Sequence, residues 1–288
     1  MKLKIIDQQG KEKSQAELPR QFSEPVRADL IKKAVLTVQK NNMQAYGASE
    51  RAGMRHSADL SRRRRKYRGS YGHGISRVPR KILSRRGTQM YWVGAVMPGT
   101  VGGRKAHPPK PGKKLAQKIN KKERRKAICS AISASINKEL VSAKGHLVPD
   151  NYPFLITADF EKIDKLKDLL RAIKNLGFEK ELERAAKPRK RAGRGKTRGR
   201  KKKNPRSLLM VCSDNCKLSI AASNLPGVEV ANVKNLNSEL LAPGAMPGRV
   251  ALYTASAIEV LKKGLFTSEY KPEKQEKEET GKTKNMKK

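Results

Sequence analysis

Four histidines, His56, His73, His107 and His146, and three cysteines, Cys129, Cys212 and Cys216, are the side chains of this sequence best suited to proton transfer, metal ligation or nucleophilic attack. The first three histidines fall in a run dense in arginine, lysine and glycine, where the sequence identifies no buried carboxylate or cysteine to orient a general base or complete a metal site. Nucleic-acid contact or solvent exposure is expected for them. His146, in SAKGHLVPD, reads as a surface turn residue. The cysteines make neither a disulfide framework nor paired zinc-knuckle spacing, and buried free thiols are expected. Asp159 and Asp214 each follow a strand and precede a helix, so helix capping accounts for them. Gly72 and Gly74 form a lone GxG without the preceding strand and following helix that a phosphate cradle needs. With no convergent acid, base and nucleophile, the sequence predicts no catalytic residue, no metal site, no cofactor and no small-molecule substrate.

The abundant chemistry is instead phosphate binding. Sixty-six lysines and arginines against 26 acids leave a net charge of +40 on 288 residues. The excess is concentrated. Residues 44–114 carry 18 basic residues against Glu50 and Asp59, and residues 187–206 carry 12 with no acid, so the two runs hold 28 of the 40 net charges. A charge needed only for solubility would not cluster in this way, whereas nucleic-acid phosphate relieves the self-repulsion. The candidate contacts in the first run are Arg51, Arg55, Arg62, Arg63, Arg64, Arg65, Lys66, Arg68, Arg85, Arg86, Arg104, Lys105, Lys110, Lys113 and Lys114. Those in the second are Lys187, Arg189, Lys190, Arg191, Arg194, Lys196, Arg198, Arg200, Lys201, Lys202, Lys203 and Arg206.

Tyr67, Tyr71, Tyr91 and Trp92 are interleaved with these arginines, as suits stacking on splayed bases; local packing explains Tyr91 and Trp92 equally well. Basic segments that order on binding fit a folded RNA better than a duplex groove, and no helix-turn-helix, zinc-finger or basic-zipper pattern offers major-groove readout. A membrane surface is the rival for any polybasic chain, but neither an amphipathic helix nor a lipid anchor accompanies the charge. The apolar run in MKLKIIDQQGKEK is too short for a signal peptide, and no apolar stretch approaches the roughly 20 residues of a spanning helix. A cytosolic protein is expected.

The positioning elements alternate. MKLKIID reads as a strand and QQGKEK as a turn. Ser23 is placed as the N-cap of a helix with Val26, Leu30, Ile31, Ala34, Val35 and Val38 on one face, ending near Asn41. After the first basic run, Asn120 and Glu123 have capping-box spacing ahead of a helix whose Ala127, Ile128, Ala131, Ile132, Ile136 and Leu140 share a face. PFLITA reads as a strand, and Asp159 caps a helix stopping at Gly177, with a shorter one over 178–186. Beyond the second run, SLLMVCS, VEVANV and RVALYT read as strands, 215–224 as a helix, and Ser256 with Glu259 as the capping box of a last helix ending at Gly264. The expected fold is one α/β three-layer domain with a mainly parallel sheet, built from 1–43, 115–186 and 207–270. The basic runs are expected to be two extensions lacking a core, the second disordered until bound, and 271–288 a disordered charged tail.

The segments RADLIKKAV, QAYGASERAG, GHGISRVPR, GGRKAHPPK, KINKKERRKAICSAI and LLAPGAMPGRVALYTASA resemble the universal large-subunit ribosomal protein four family, in its archaeal and eukaryotic branch. The resemblance runs over roughly 1–264. It implies a structural, non-enzymatic ribosomal protein that binds large-subunit ribosomal RNA early in assembly, lies beside other ribosomal proteins, and lines the polypeptide exit tunnel with its first extension. Carried over by motif, the tunnel tip that meets the nascent polypeptide falls on Ser70, Tyr71, Gly72, His73, Gly74, Ile75, Ser76, Arg77, Val78, Pro79 and Arg80, close to the loop midpoint near residue 79. Two rivals are a nucleic-acid-modifying enzyme on an α/β scaffold, which would show turnover, and a DNA-compacting protein, which would bind duplex DNA as well as folded RNA.

Overall fold

Alternating polar and apolar residues in KLKII form strand β1 (Lys2–Ile6), and the chain turns at Gly10 into β2 (Glu12–Glu17), which pairs antiparallel with it. The sequence predicts only a turn here, because EKSQAE is polar at every position but Ala16 and its place is set by backbone pairing. A computed structural model describes residues 1–214 and 216–267; the tail expected at 271–288 lies outside the described residues. The chain divides into two units, one formed by residues 1–41 and the chain from 117 onward, the other by 42–116.

Helix α1 (Ala28–Asn41) buries Ile31, Ala34, Val35 and Thr37. Ser23 does not cap it; that residue closes a short 3-10 turn at Arg20–Ser23, and Val26 is exposed. In the second unit, β3 (Arg80–Arg86) and β4 (Gln89–Gly94) form an antiparallel hairpin turning at Gly87, whose φ of 57° suits glycine. The first basic run is therefore not without secondary structure. Its strands leave little trace in the sequence because they are mostly exposed and bury no apolar face.

In the first unit α2 (Lys121–Ile136) follows Asn120, whose side chain makes no capping bond. The capping box fails because Glu123 pairs instead with Lys33 of α1 at 2.8 Å. The helix also ends before Leu140: Asn137 accepts from the amides of Glu139 and Leu140 and starts α3 (Lys138–Ala143). Strand β5 (Leu155–Ile156) leads into a 3-10 turn, Ala158–Lys162, that absorbs Asp159, so α4 (Leu166–Asn175) starts later than Asp159 capping predicts. Gly177, at φ 83°, ends it as expected, and α5 (Glu179–Ala186) follows. The second basic run holds the short antiparallel pair β6 (Arg189–Lys190) and β7 (Lys202–Lys203) where disorder is expected. The chain continues through β8 (Leu209–Cys212), α6 (Leu218–Ala222), β9 (Glu229–Asn232), α7 (Ser238–Leu241), β10 (Ala251–Tyr253) and α8 (Ala255–Lys262). Thr254, not Ser256, caps α8 by accepting from the Ala257 amide at 3.1 Å.

The architecture is mixed α/β. Its strands make two three-stranded sheets in the orders β2-β1-β5 and β10-β8-β9, parallel except for the β1–β2 pair, rather than the one ladder that the sequence predicts. A single parallel bridge, Ile156 to Thr254, links them. Alternate residues along β8 face opposite ways, Met210 and Cys212 into one apolar cluster with Phe160, Leu169, Ile173 and Phe178, Leu209 and Val211 into another with Ile31, Val35, Ile128 and Ile132. Apolar burial on both faces explains the uninterrupted LLMVC. Neither cluster draws a residue from 42–116 or 187–206.

Candidate nucleic-acid interface

Within 42–116 no lysine or arginine is ion-paired among the described residues. Of the candidate phosphate contacts in this unit, Arg104 is half-buried and all the others, including Arg62 to Lys66, are exposed. Several arginines lie on the aromatic rings interleaved with them: Arg77 over Tyr71 at 4.6 Å, Arg85 over Tyr67 at 5.2 Å and Arg80 over Trp92 at 5.3 Å. A guanidinium held on a ring face keeps its charge and presents its outer donors in a fixed plane, which suits bidentate phosphate contact. Those three rings accordingly each have a face engaged by their own arginine, while Tyr91 is exposed.

The candidate tip does not form one exposed apex. Ser70 is buried, Tyr71 and Ile75 are half-buried, and Gly72, His73, Gly74, Ser76 and Arg77 are exposed. Val78, Pro79 and Arg80 are half-buried again, with Arg80 opening β3 and exchanging backbone bonds with Asp59 at 3.2 and 3.3 Å. The exposed hairpin turn lies further along, at Gly87 and Thr88. Tyr46 goes unnoticed in the sequence, although it is exposed beside His107 and Lys105 in one cleft. Its tyrosine type within QAYGAS, opposite a proline-rich segment, is the only sequence signal.

The candidate contacts of the second run are exposed apart from half-buried Arg191, whose guanidinium donates to the carbonyls of Arg200 and Lys202 and braces the hairpin. Arg206 is ion-paired with Glu229. The hairpin's root is held by a buried carboxylate. Glu181 on α5 accepts from Arg184 through both oxygens at 2.7 and 2.8 Å, from Ser207 Oγ at 3.0 Å, from His146 Nδ1 at 2.8 Å and from the Leu147 amide at 3.0 Å. Arg184 also donates to the Arg206 carbonyl at 2.8 Å. His146 is thus not a surface turn residue: burial is affordable because its ring nitrogen meets the carboxylate. Burial works to raise the Glu181 pKa, but the hydrogen bonds from Arg184, His146 and Leu147 overcome it and bring it down to about 2.

Two further polar centres hold the sheet. Arg249 is fully buried and donates to Glu229 at 2.6 Å, to the Ser207 carbonyl at 2.8 Å and to the Leu240 carbonyl at 2.8 Å, tying the root of the second hairpin to β9 and α7. At the carboxyl ends of β8 and β10, where open α/β sheets commonly bind ligands, Glu161 accepts from the Ser213 amide and hydroxyl at 2.9 and 2.8 Å, Thr254 Oγ1 at 2.7 Å and Ser256 Oγ at 2.6 Å. Burial opposes its ionisation, yet these donors keep its pKa below the ordinary value. A carboxylate so fully occupied is a brace, not a free base. Burial raises the Cys129 thiol to about 11 and also raises Cys212, leaving both unreactive. Asp214, expected to cap a helix, is exposed and pairs with Lys234 at 3.2 Å. Among the described residues no His, Cys, Asp and Glu group could hold a metal ion, and no helix is long and apolar enough to cross a membrane.

A profile of the "Ribosomal protein L4/L1 family" matches residues 16–264. The chain is similar to the "Large ribosomal subunit protein uL4" of Nanoarchaeum equitans, 45% identical over 263 residues that cover 91% of this chain and 98% of the relative. The protein of the same name from Archaeoglobus fulgidus is 42% identical over 262 residues, 91% of this chain and 98% of the relative. That of Pyrobaculum aerophilum is 43% identical over 269 residues, 92% and 90% respectively.

Proposed function

Because the chain belongs to the ribosomal protein L4/L1 family, we propose that it is a non-enzymatic structural constituent of the large ribosomal subunit that works by binding large-subunit RNA. The observation that carries this reading is the pair of basic segments, 44–114 and 187–206, whose lysines and arginines are mostly exposed and, Arg206 apart, not ion-paired among the described residues. Such groups gain most when condensed counterions are released from phosphate.

On this reading residues 44–114 are the RNA-penetrating loop and 187–206 a second RNA-bound extension, both carried by an α/β body of three layers. The alternation of apolar clusters on the two faces of β8, and the Ile156–Thr254 bridge, support treating the two small sheets as one layer between helices. The protein resides in cytoplasmic ribosomes, binds the RNA early in assembly and has other large-subunit proteins as neighbours. Its first loop contributes to the exit-tunnel wall. We assign the segment nearest the nascent polypeptide to the β3–β4 hairpin with its exposed turn at Gly87 and Thr88, and residues 70–80 to the approach, because Ser70 is buried and Arg80 already belongs to the ribbon. The hairpin exposes Leu83, Tyr91 and Val93, apolar groups that a passing peptide can slide over without being held by charge.

Binding of the full chain to protein-free large-subunit RNA and to duplex DNA of equal length, at matched salt, tests the reading. Preference for the RNA with a steep salt dependence is expected. Equal affinity for the DNA would favour the compaction reading and overturn this one.

A further inference from the structure

The residues around Tyr46 form a cleft of about 900 Å³ inside the 42–116 unit, lined by Tyr46, Lys105, His107, Pro109, Lys110 and Lys113 among others. Its size is in the range of small-ligand sites, about 300–1,000 Å³. The walls are fixed. Gly47 passes so close to Pro111 that an added Cβ would stand 2.3 Å from the proline ring, and the Ala48 amide donates to the Pro109 carbonyl at 3.0 Å. Prolines at 108, 109 and 111 stiffen the opposite side.

The lining supplies one aromatic face, three ammonium groups and an imidazole, with no carboxylate. Tyr46 is 61% exposed, and no arginine lies over its ring, in contrast to Tyr67, Tyr71 and Trp92. A second basic cleft, around Arg20 and Lys126, differs in containing Glu24, which pairs with Lys126 and lowers its appeal to an anion. An open ring beside a cluster of cations suits a flat, π-faced group attached to phosphates. A base within a helix has its faces covered by its neighbours, so the fitting group is a nucleotide turned out of the stack.

We propose that this cleft holds one unstacked nucleotide of large-subunit RNA, its base against Tyr46 and its flanking phosphates against Lys105, Lys110 and Lys113. The proposal rests on the RNA-binding reading above and adds to it a defined single-nucleotide site.

Irradiating large subunits that contain the full chain at 254 nm, digesting the RNA and mapping mononucleotide adducts by mass spectrometry tests the site. An adduct on Tyr46 or His107 is expected. Subunits that contain the chain but give no adduct within 44–48 or 105–113 would overturn the proposal alone, whereas absence of the chain from large subunits would overturn the function reading with it. Filter binding to protein-free large-subunit RNA gives a second readout. Tyr46→Leu, at an exposed position that leaves the fold intact, should weaken binding roughly tenfold, while Tyr46→Phe and Tyr46→Trp retain it, as expected for a stacked base. Equal binding by Tyr46→Leu and Tyr46→Phe would contradict a stacking role.

Discussion

Glu181 accepts a hydrogen bond from Ser207 at 3.0 Å, joining the helix that leads into the second basic hairpin to the residue that follows it. Arg184 clasps the same carboxylate through both oxygens and reaches the Arg206 carbonyl, so the two roots of the hairpin are fixed together within the chain itself. Holding the roots lowers the entropy lost when the basic segment orders on a partner.

The Glu181 clasp predicts a pH signature. Its folded-state pKa, about 2, lies below the ordinary 4.5, so as pH falls the unfolded chain takes up this proton first. The stabilisation is complete above about pH 4.5 and is lost as pH falls through about 2. Glu181→Gln should be less stable at neutral pH and show a flatter dependence of the urea midpoint across that window. Parallel pH profiles for the two proteins would contradict the clasp. Glu181→Ala, which takes the acceptor from His146, the Ser207 hydroxyl and the Leu147 amide, should cost about 2–5 kcal/mol.

Arg249 makes a second prediction. Removing its guanidinium strands the Ser207 and Leu240 carbonyls and leaves Glu229 to Arg206 alone, so Arg249→Ala should destabilise by about 2–5 kcal/mol in urea unfolding. Lysine should not restore the loss, because one ammonium cannot reproduce the planar fork that reaches three elements. Stability restored to within about 0.5 kcal/mol by Arg249→Lys would show that charge alone is required.

Changing Arg62, Arg63, Arg64 and Arg65 together to glutamine should leave the thermal midpoint nearly unchanged, since all four are exposed. If each meets a phosphate, the slope of log K against log salt should fall in magnitude by about 3. Filter binding between 50 and 200 mM salt measures it, and an unchanged slope would remove these arginines from the interface.

Much of the α/β body can be read from the sequence because its elements are periodic: α1 shows its stripe through Ile31, Ala34 and Val35, and β8 its apolar run. Caps are harder to read. Ser23, Asn120, Asp159 and Ser256 are all plausible caps by type, yet tertiary partners decide; Glu123 is taken by Lys33, and the Ser256 hydroxyl by Glu161. The hairpins in the basic runs are hidden because backbone pairing and arginine–ring stacking hold them without an apolar period. Buried His146 and Glu181 and half-buried Arg184 are spread over 39 residues of chain, so they look like ordinary surface charges until the fold brings them together. Arg249 is hidden for the same reason: within PGRVALY nothing local marks it as the most enclosed cation among the described residues.

The central claim is that this chain is built into the large ribosomal subunit through its first basic loop. Sedimentation of cell extract at moderate salt, with the full chain compared with a variant lacking residues 62–86, tests it most directly. The account predicts that the full chain travels with large subunits and that the shortened chain is depleted from them or leaves the tunnel structure altered. A full chain that sediments free of large subunits, or a shortened one that enters them normally with the tunnel unchanged, would contradict it.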